Sequence, residues 1–145
     1  MTISLKNKKA HFNYQTLQEF DAGIVLFGCE VKSIIKNGVS FSDSYCIIKD
    51  GEIFIKNLHI SRLSNSDDID YIPTRDRKLL LTKKEIRKMS LELKNRGLTI
   101  VPLLIYTNKT NLIKIKIAIV KGKKKFDKRE TIKKRDIERD IRREE

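Results

Sequence analysis

Apolar positions recur along the chain with two different periods, and the switch between them outlines the fold. In residues 113–119, Ile113, Ile115, Ile117 and Ile119 are separated by Lys114, Lys116 and Ala118. This strict period of two predicts a strand with one core face and one positively charged face. An apolar run over residues 98–106 precedes it, and Pro102 within that run removes a backbone donor, which predicts an edge or a bulge there. Tyr45–Lys49 and residues 52–58 flank Asp50-Gly51, a dipeptide suited to the two-residue turn of a hairpin. Residues 14–27 alternate loosely through Leu17, Phe20, Ile24 and Leu26, and read as two strands meeting at a bend near Asp21-Ala22-Gly23.

Helical spacing appears twice. Val31, Ile34 and Ile35 recur at i, i+3 and i+4 ahead of Asn37-Gly38, which predicts a short amphipathic helix with a glycine C-cap. Residues 83–96 form the clearer helix: Thr82 and Glu85 make a capping box, Ile86, Met89 and Leu93 mark one face, and Gly97 suits the left-handed cap position. Residues 63–77 are polar, with Asn65, two serines and Pro73, and read as a loop. About six strands with no strand–helix alternation imply a mainly β fold, a small antiparallel barrel closed or nearly closed on itself with a helix over one opening. After residue 120 only Phe126, Ile132, Ile137 and Ile141 are large and apolar. They are too few to repay chain ordering, so a barrel domain over 1–120 is expected to carry a tail, 121–145, that is disordered when free and helical against a partner.

Composition narrows the class. The chain has 145 residues, 39% of them hydrophobic, which suffices for one core. Its longest apolar run has nine residues, short of the roughly 18 that a membrane-spanning helix needs. The first residues lack the apolar region of a signal peptide, and Cys29 and Cys46 form neither a CxxC motif nor a disulfide framework, so a cytoplasmic protein with no membrane partner is expected. Net charge is +13, divided as +8 over residues 1–120 and +5 over the tail, which favours a polyanionic partner.

Catalytic constellations are hard to find. His11 and His59 have no suggestive companions, and Asp67, Asp68 and Asp70 lack the glycine and distal glutamate of a calcium loop, which favours a solvated loop over a metal site. Lys121-Gly122-Lys123-Lys124-Lys125 is not a phosphate-binding loop, and neither a dinucleotide fingerprint nor a GxSxG elbow occurs. The expectation is therefore a binding module rather than an enzyme, without metal or cofactor. Lys6, Lys8, Lys9, His11, Arg75, Arg77, Lys78 and the tail could contact phosphates, and Phe12, Tyr14 and Tyr71 could stack on unpaired bases, although Tyr14 equally suits a core. From these residues alone the reading is an RNA- or single-strand-binding barrel. A structural ribosomal protein and a metal-dependent nuclease are the alternatives.

Several blocks in order carry a resemblance. They are Asn7-Lys8-Lys9-Ala10, Glu19-Phe20-Asp21-Ala22-Gly23-Ile24, Gly28-Cys29-Glu30-Val31-Lys32-Ser33, Asp43-Ser44-Tyr45, residues 73–81, residues 97–103, Gly122-Lys123-Lys124 and Asp127-Lys128-Arg129. Together they resemble the small protein B family, the SsrA-binding proteins of bacterial trans-translation. The resemblance implies an oligonucleotide-binding-type barrel with two to three accessory helices and a basic tail. It implies binding to the tRNA-like domain of transfer-messenger RNA, and delivery of that RNA to the empty A site of a stalled ribosome. The tail would then read the vacant messenger channel at the small-subunit decoding centre, with elongation factor Tu joined through the aminoacylated RNA and the protein acting as a monomer.

RNA-facing positions implied by the resemblance are Asn7, Asp21 and Leu80, with Lys8, Lys9, Phe12, Arg75, Arg77 and Lys78 around them. Asp21 stands where many members carry glutamate, and Phe12 where they often carry histidine. For Leu80 the competing reading is core packing within Leu79-Leu80-Leu81, of which an alternating strand buries only some. Ribosome-facing tail positions would be Gly122, Lys123, Lys124, Asp127, Lys128, Arg129, Lys133, Lys134 and Arg135.

Overall fold

The computed structural model describes residues 2–63, 70–95 and 97–122. Nine strands and three helices lie among them, in the order β1 (Ser4–Lys6), α1 (Lys8–Asn13), β2 (Tyr14–Ile24), α2 (Gly28–Ile35), β3 (Val39–Ser40), β4 (Tyr45–Lys49), β5 (Glu52–Lys56), β6 (His59–Ile60), β7 (Arg77–Leu80), α3 (Lys83–Glu92), β8 (Leu98–Thr107) and β9 (Ile113–Gly122). The main sheet runs β1-β8-β4-β5-β7-β2-β9, and β9 pairs again with β8. Strands β8, β4, β5, β7, β2 and β9 thus form a six-membered antiparallel ring, with β1 an added strand on β8. Closure pairs most of the sheet edge that would otherwise invite association, and β1 covers the part of β8 that β4 leaves open.

The period-two pattern fills this barrel. Ile115, Ile117 and Ile119 of β9 are buried with Ala22, Ile53, Ile55, Leu79, Ile100 and Ile105 from the other strands, and Ile34 of α2 with Ile86 and Met89 of α3 join the same core. A smaller cluster lies on the outer side of β8 and β9, where Ala10 of α1 packs with Val101, Leu103, Ala118 and Val120. Pro102 stands at a bulge: it pairs with Ile117, Leu104 pairs with Lys116, and the extra residue shifts which side chains of β8 face inward.

Local signals act as the sequence suggests in two places. Asp50 and Gly51 both have positive φ (55° and 76°), the conformation of a type I′ hairpin turn. At α3, Thr82 Oγ1 accepts from Glu85 N at 3.2 Å while Glu85 Oε1 accepts from Thr82 N at 3.3 Å, the reciprocal capping box. Elsewhere the structure corrects the sequence reading. Residues 14–24 are one strand rather than two, and the irregularity is a bulge between Thr16 and Gln18 rather than a bend at Gly23. The left-handed residue after α2 is Asn37 (φ 61°), not Gly38. Gly38 is needed for space, since a Cβ there would collide with Ser33 Oγ. Residues 121 and 122 continue β9, so the strand runs past the expected boundary at 120.

A buried ion network joins the helical and strand layers. Glu30, fully buried near the start of α2, accepts from Phe27 N at 2.7 Å and from Arg77 Nε at 2.6 Å, and forms an ion pair with Arg75 Nη2. Arg77, also fully buried, spends its remaining donors on Leu58 O (2.6 Å), Arg75 O (3.3 Å), Pro73 O (2.9 Å) and the Tyr71 hydroxyl (3.1 Å). Burial pushes the Glu30 carboxyl up, but its bonds to Arg75, to the Phe27 N–H and to Arg77 outweigh that and hold it below the usual carboxylate value of 4.5. Its contribution to stability is therefore complete above that value and is lost as pH falls through the lower, folded-state value. Glu30→Gln should destabilise the barrel by about 3–5 kcal/mol at neutral pH, because it leaves the Arg77 charge uncompensated. Thermal midpoints measured between pH 7 and pH 3 should also fall less steeply with acid in that variant than in the parent.

Candidate nucleic-acid interface

The outer wall of β7, β2, β9 and β8 gathers the polar residues that the barrel turns away from its core. On β2, Phe20 and Ala22 point inward, which places Glu19 and Asp21 on the solvent side. Asp21 pairs across the strands with Lys116, and Gly23 with Lys114. Lys116 Nζ lies 3.8 Å from Glu19 Oε2, and the Tyr106 hydroxyl of β8 donates to Asp21 Oδ1 at 2.8 Å. Leu80 of β7 lies beside Gly23 and is 54% exposed, whereas its neighbour Leu79 is buried. That alternation decides against a core role for Leu80. A Cβ on Gly23 would meet Leu80 Cβ at 3.2 Å, so the glycine lets the leucine lie close over β2.

This wall can therefore offer carboxylate acceptors, two ammonium groups, a tyrosine ring and an apolar side chain to one ligand. In the sequence Lys114 and Lys116 stand out only as the charged face of an alternating strand, and Tyr106 carries no signal, since its place depends on the bulge at Pro102.

Other expected contacts fall differently. Lys8 and Lys9 are exposed on α1, and Phe12 is half-buried. Asn7 is only 8% exposed: its Oδ1 caps α1 by accepting from Ala10 N, and its Nδ2 donates to Pro102 O at 2.7 Å. It sets the position of the helix against β8. Lys78 is exposed on the outer side of β7 and pairs with Glu52 at 3.0 Å. Arg77 is a correction, because a fully buried guanidinium whose donors are all engaged cannot reach a phosphate. Arg75 is drawn the same way, toward Glu30 and over the Phe27 ring at 3.8 Å. Tyr71, an expected stacking residue, has its hydroxyl 2.8 Å from Ile60 O within the same network. Gly122 is exposed at the end of β9. Lys123, Lys124, Asp127, Lys128, Arg129, Lys133, Lys134 and Arg135 lie outside the described residues, as do Asp67 and Asp68.

Burial, together with the hydrogen bond and the charge of Asp21, pushes the Tyr106 phenol up to about 12 from its ordinary 10.0. Asp21→Asn removes the charge, so tyrosinate absorbance in that variant should show one tyrosine titrating at lower pH than in the parent. An unchanged titration curve would contradict the Tyr106–Asp21 contact.

Comparison with known proteins agrees with this architecture. Residues 4–145 match the family model described as SmpB protein. The SsrA-binding protein of Anaplasma marginale (strain Florida) is 52% identical over 140 residues, covering 97% of this chain and 94% of that protein. The SsrA-binding protein of Thermosipho africanus is 48% identical over 141 residues, covering 97% and 95% respectively. The fold is similar to a chain in the solved structure described as "tmRNA-SmpB: a journey to the center of the bacterial ribosome", with a TM-score of 0.71, 38% identity, and coverage of 84% of this chain and 85% of that one. With the ordered sequence blocks and the barrel in agreement over nearly the whole length, this chain belongs to the SmpB family.

Proposed function

We propose that this protein is a noncatalytic RNA-binding adaptor of trans-translation. It binds the tRNA-like domain of transfer-messenger RNA and delivers that RNA to the A site of stalled ribosomes, so that they are rescued and their incomplete products tagged for degradation. The observation that carries the reading is the outer barrel wall, where Asp21 and the exposed Leu80 share one surface with Lys114, Lys116 and Tyr106 in a chain of the SmpB family. The lysines supply attraction to phosphates without sequence preference. Asp21 supplies selectivity, because a carboxylate accepts hydrogen bonds from base amino groups. Lys8, Lys9 and Phe12 of α1 and Lys78 of β7 extend the contact, while Arg75, Arg77 and Asn7 act by holding the elements that carry it. The protein works as a cytoplasmic monomer, meets elongation factor Tu only through the aminoacylated RNA, and needs no cofactor.

RNA affinity should fall as salt rises, since residues 1–120 carry a net +8. Asp21→Ala should weaken binding of transfer-messenger RNA by about 10-fold or more relative to ordinary tRNA, as loss of one hydrogen bond to a charged group would. It does so even though it removes a negative charge. Gel-shift competition between the two RNAs measures this, and equal or tighter binding by the variant at every salt concentration would remove Asp21 from the interface.

Residues after Gly122 are proposed to read the vacant messenger channel. Truncation after Gly122 keeps every strand found among the described residues, β9 included. It should leave the melting temperature and the RNA affinity nearly unchanged while abolishing tagging on stalled ribosomes. Tagging restored by an excess of truncated protein would show that the tail only raises general affinity.

A further inference from the structure

A cleft of about 110 Å³ lies between α1 and the turn leading into β4, with Val101 of β8 among its lining. Lys9 and Asn13 line it from α1, and Phe41 and Asp43 line it from the turn. Both segments are fixed. Ser44 Oγ and Ser44 N bond Phe41 O at 2.6 and 3.0 Å, and Asn57 Nδ2 bonds Asp43 O at 3.3 Å. Asn7 holds α1 against β8 through Pro102 O. Yet among the described residues neither the Lys9 ammonium nor the Asp43 carboxylate has a hydrogen-bond or ion-pair partner. Two opposite charges thus share one preformed cleft without neutralising each other.

A ligand that satisfies both must present acceptors to the lysine and donors to the aspartate. It must also be flat and partly apolar, because the rings of Phe41 and Tyr14 and the Ala10 methyl complete the lining. Guanine meets these demands. Its O6 and N7 are acceptors that lysine commonly reads, and its N1–H and N2–H groups are adjacent donors for a bidentate carboxylate. Adenine and cytosine offer a carboxylate one amino group without a donor beside it, and uracil a single N–H between two carbonyls. The cleft is smaller than the enclosed cavity of about 150 Å³ that holds a benzene ring, but it is open, so it takes the edge of a base while the rest of the ring and the sugar stay outside. RNA is read in this manner, through unpaired bases splayed onto aromatic side chains and bonded along their edges.

We propose that the cleft takes one unpaired guanine base, with Asp43 accepting from N1–H and N2–H and Lys9 donating to O6 or N7. The inference rests on the RNA-binding reading above and adds a base-selective subsite to it. The subsite is separate from the outer wall: Tyr14 and Asp21 lie seven residues apart on β2, roughly 20–25 Å along an extended strand.

The test is an amide NMR titration of the full chain with guanosine, inosine, adenosine, cytidine and uridine 5′-monophosphates, with transfer-messenger RNA binding assayed on the same preparation. Saturable shifts at Asn13, Asp43 and Ser44 are expected with guanosine monophosphate, about 10-fold tighter than with the others. Inosine monophosphate, which lacks the N2 amino group, should behave like the weak group. Asp43→Asn keeps a side chain that tolerates the left-handed φ of 59°, and it should abolish the guanine preference with an unchanged melting temperature. Retained RNA binding with no guanine-selective shift at these amides would overturn the subsite alone. Failure of the parent protein to bind transfer-messenger RNA would overturn the RNA-binding reading beneath it.

Discussion

The Glu30–Arg77 pair is the interaction on which the site's geometry depends. Two charges with no solvent exposure cost several kcal/mol each to dehydrate, and they are tolerable only when hydrogen bonds replace the lost water completely. Here they do: the Arg77 fork reaches Glu30, two loop carbonyls, the segment after β5 through Leu58 O and the Tyr71 hydroxyl. No buried side-chain polar atom among the described residues lacks a partner. One guanidinium therefore fixes the start of α2, the segment after β5, the turn at residues 71–75 and the first residue of β7. A lysine could not do this, because it lacks the planar five-donor fork. The register of β7 follows, and with it the inward place of Leu79 and the outward place of Leu80 over Gly23.

An acidic group on an RNA-facing wall needs a physical account, and the neighbours of Asp21 supply one. Its Oδ1 already accepts from Tyr106, which orients the carboxylate and leaves Oδ2 for a ligand donor. Lys116 pairs directly opposite on β9, so the local field on an approaching phosphate is not repulsive. Selectivity and attraction are thereby divided between two residues paired directly across neighbouring strands. The bulge at Pro102 makes the arrangement possible by returning Tyr106 to the outer side after Val101 and Leu103 have packed beneath α1.

Parts of this fold legible in the sequence are those set by local chemistry. The Asp-Gly turn, the Thr82–Glu85 box and the isoleucine alternation are each complete within a few residues. Elements that tertiary contacts create were not legible. Helix α1 has six residues and buries only Ala10, so it leaves no periodic trace. Strand β1 has three residues and exists as a strand because β8 offers it an edge. The inward turn of Arg77 is hidden for a related reason. Next to Arg75 and Lys78 it reads as one more surface cation, and only the distant Glu30 reveals that it turns inward. Gly23 signalled an irregular backbone, but what it provides is room for Leu80.

One strand also shows how the sequence separates the covered half of the barrel from its open half. The outward positions of β9 are Lys114, Lys116, Ala118 and Val120 in order. Ala118 and Val120 pack with Ala10 of α1 and with Val101 and Leu103, and the helix hides them from water. Lys114 and Lys116 lie beyond the reach of that helix, opposite Gly23 and Asp21. The change from lysine to alanine and valine therefore marks where the helix stops and the wall begins. Its physical cause is plain, since a lysine at 118 would have to bury its charge beneath α1 and a valine at 116 would leave an apolar side chain beside Asp21. What leaves the lysines open is where α1 begins: Asn7 N bonds Leu103 O, and the helix runs from there toward Tyr14, which pairs with Gly122, away from Lys116 and Lys114.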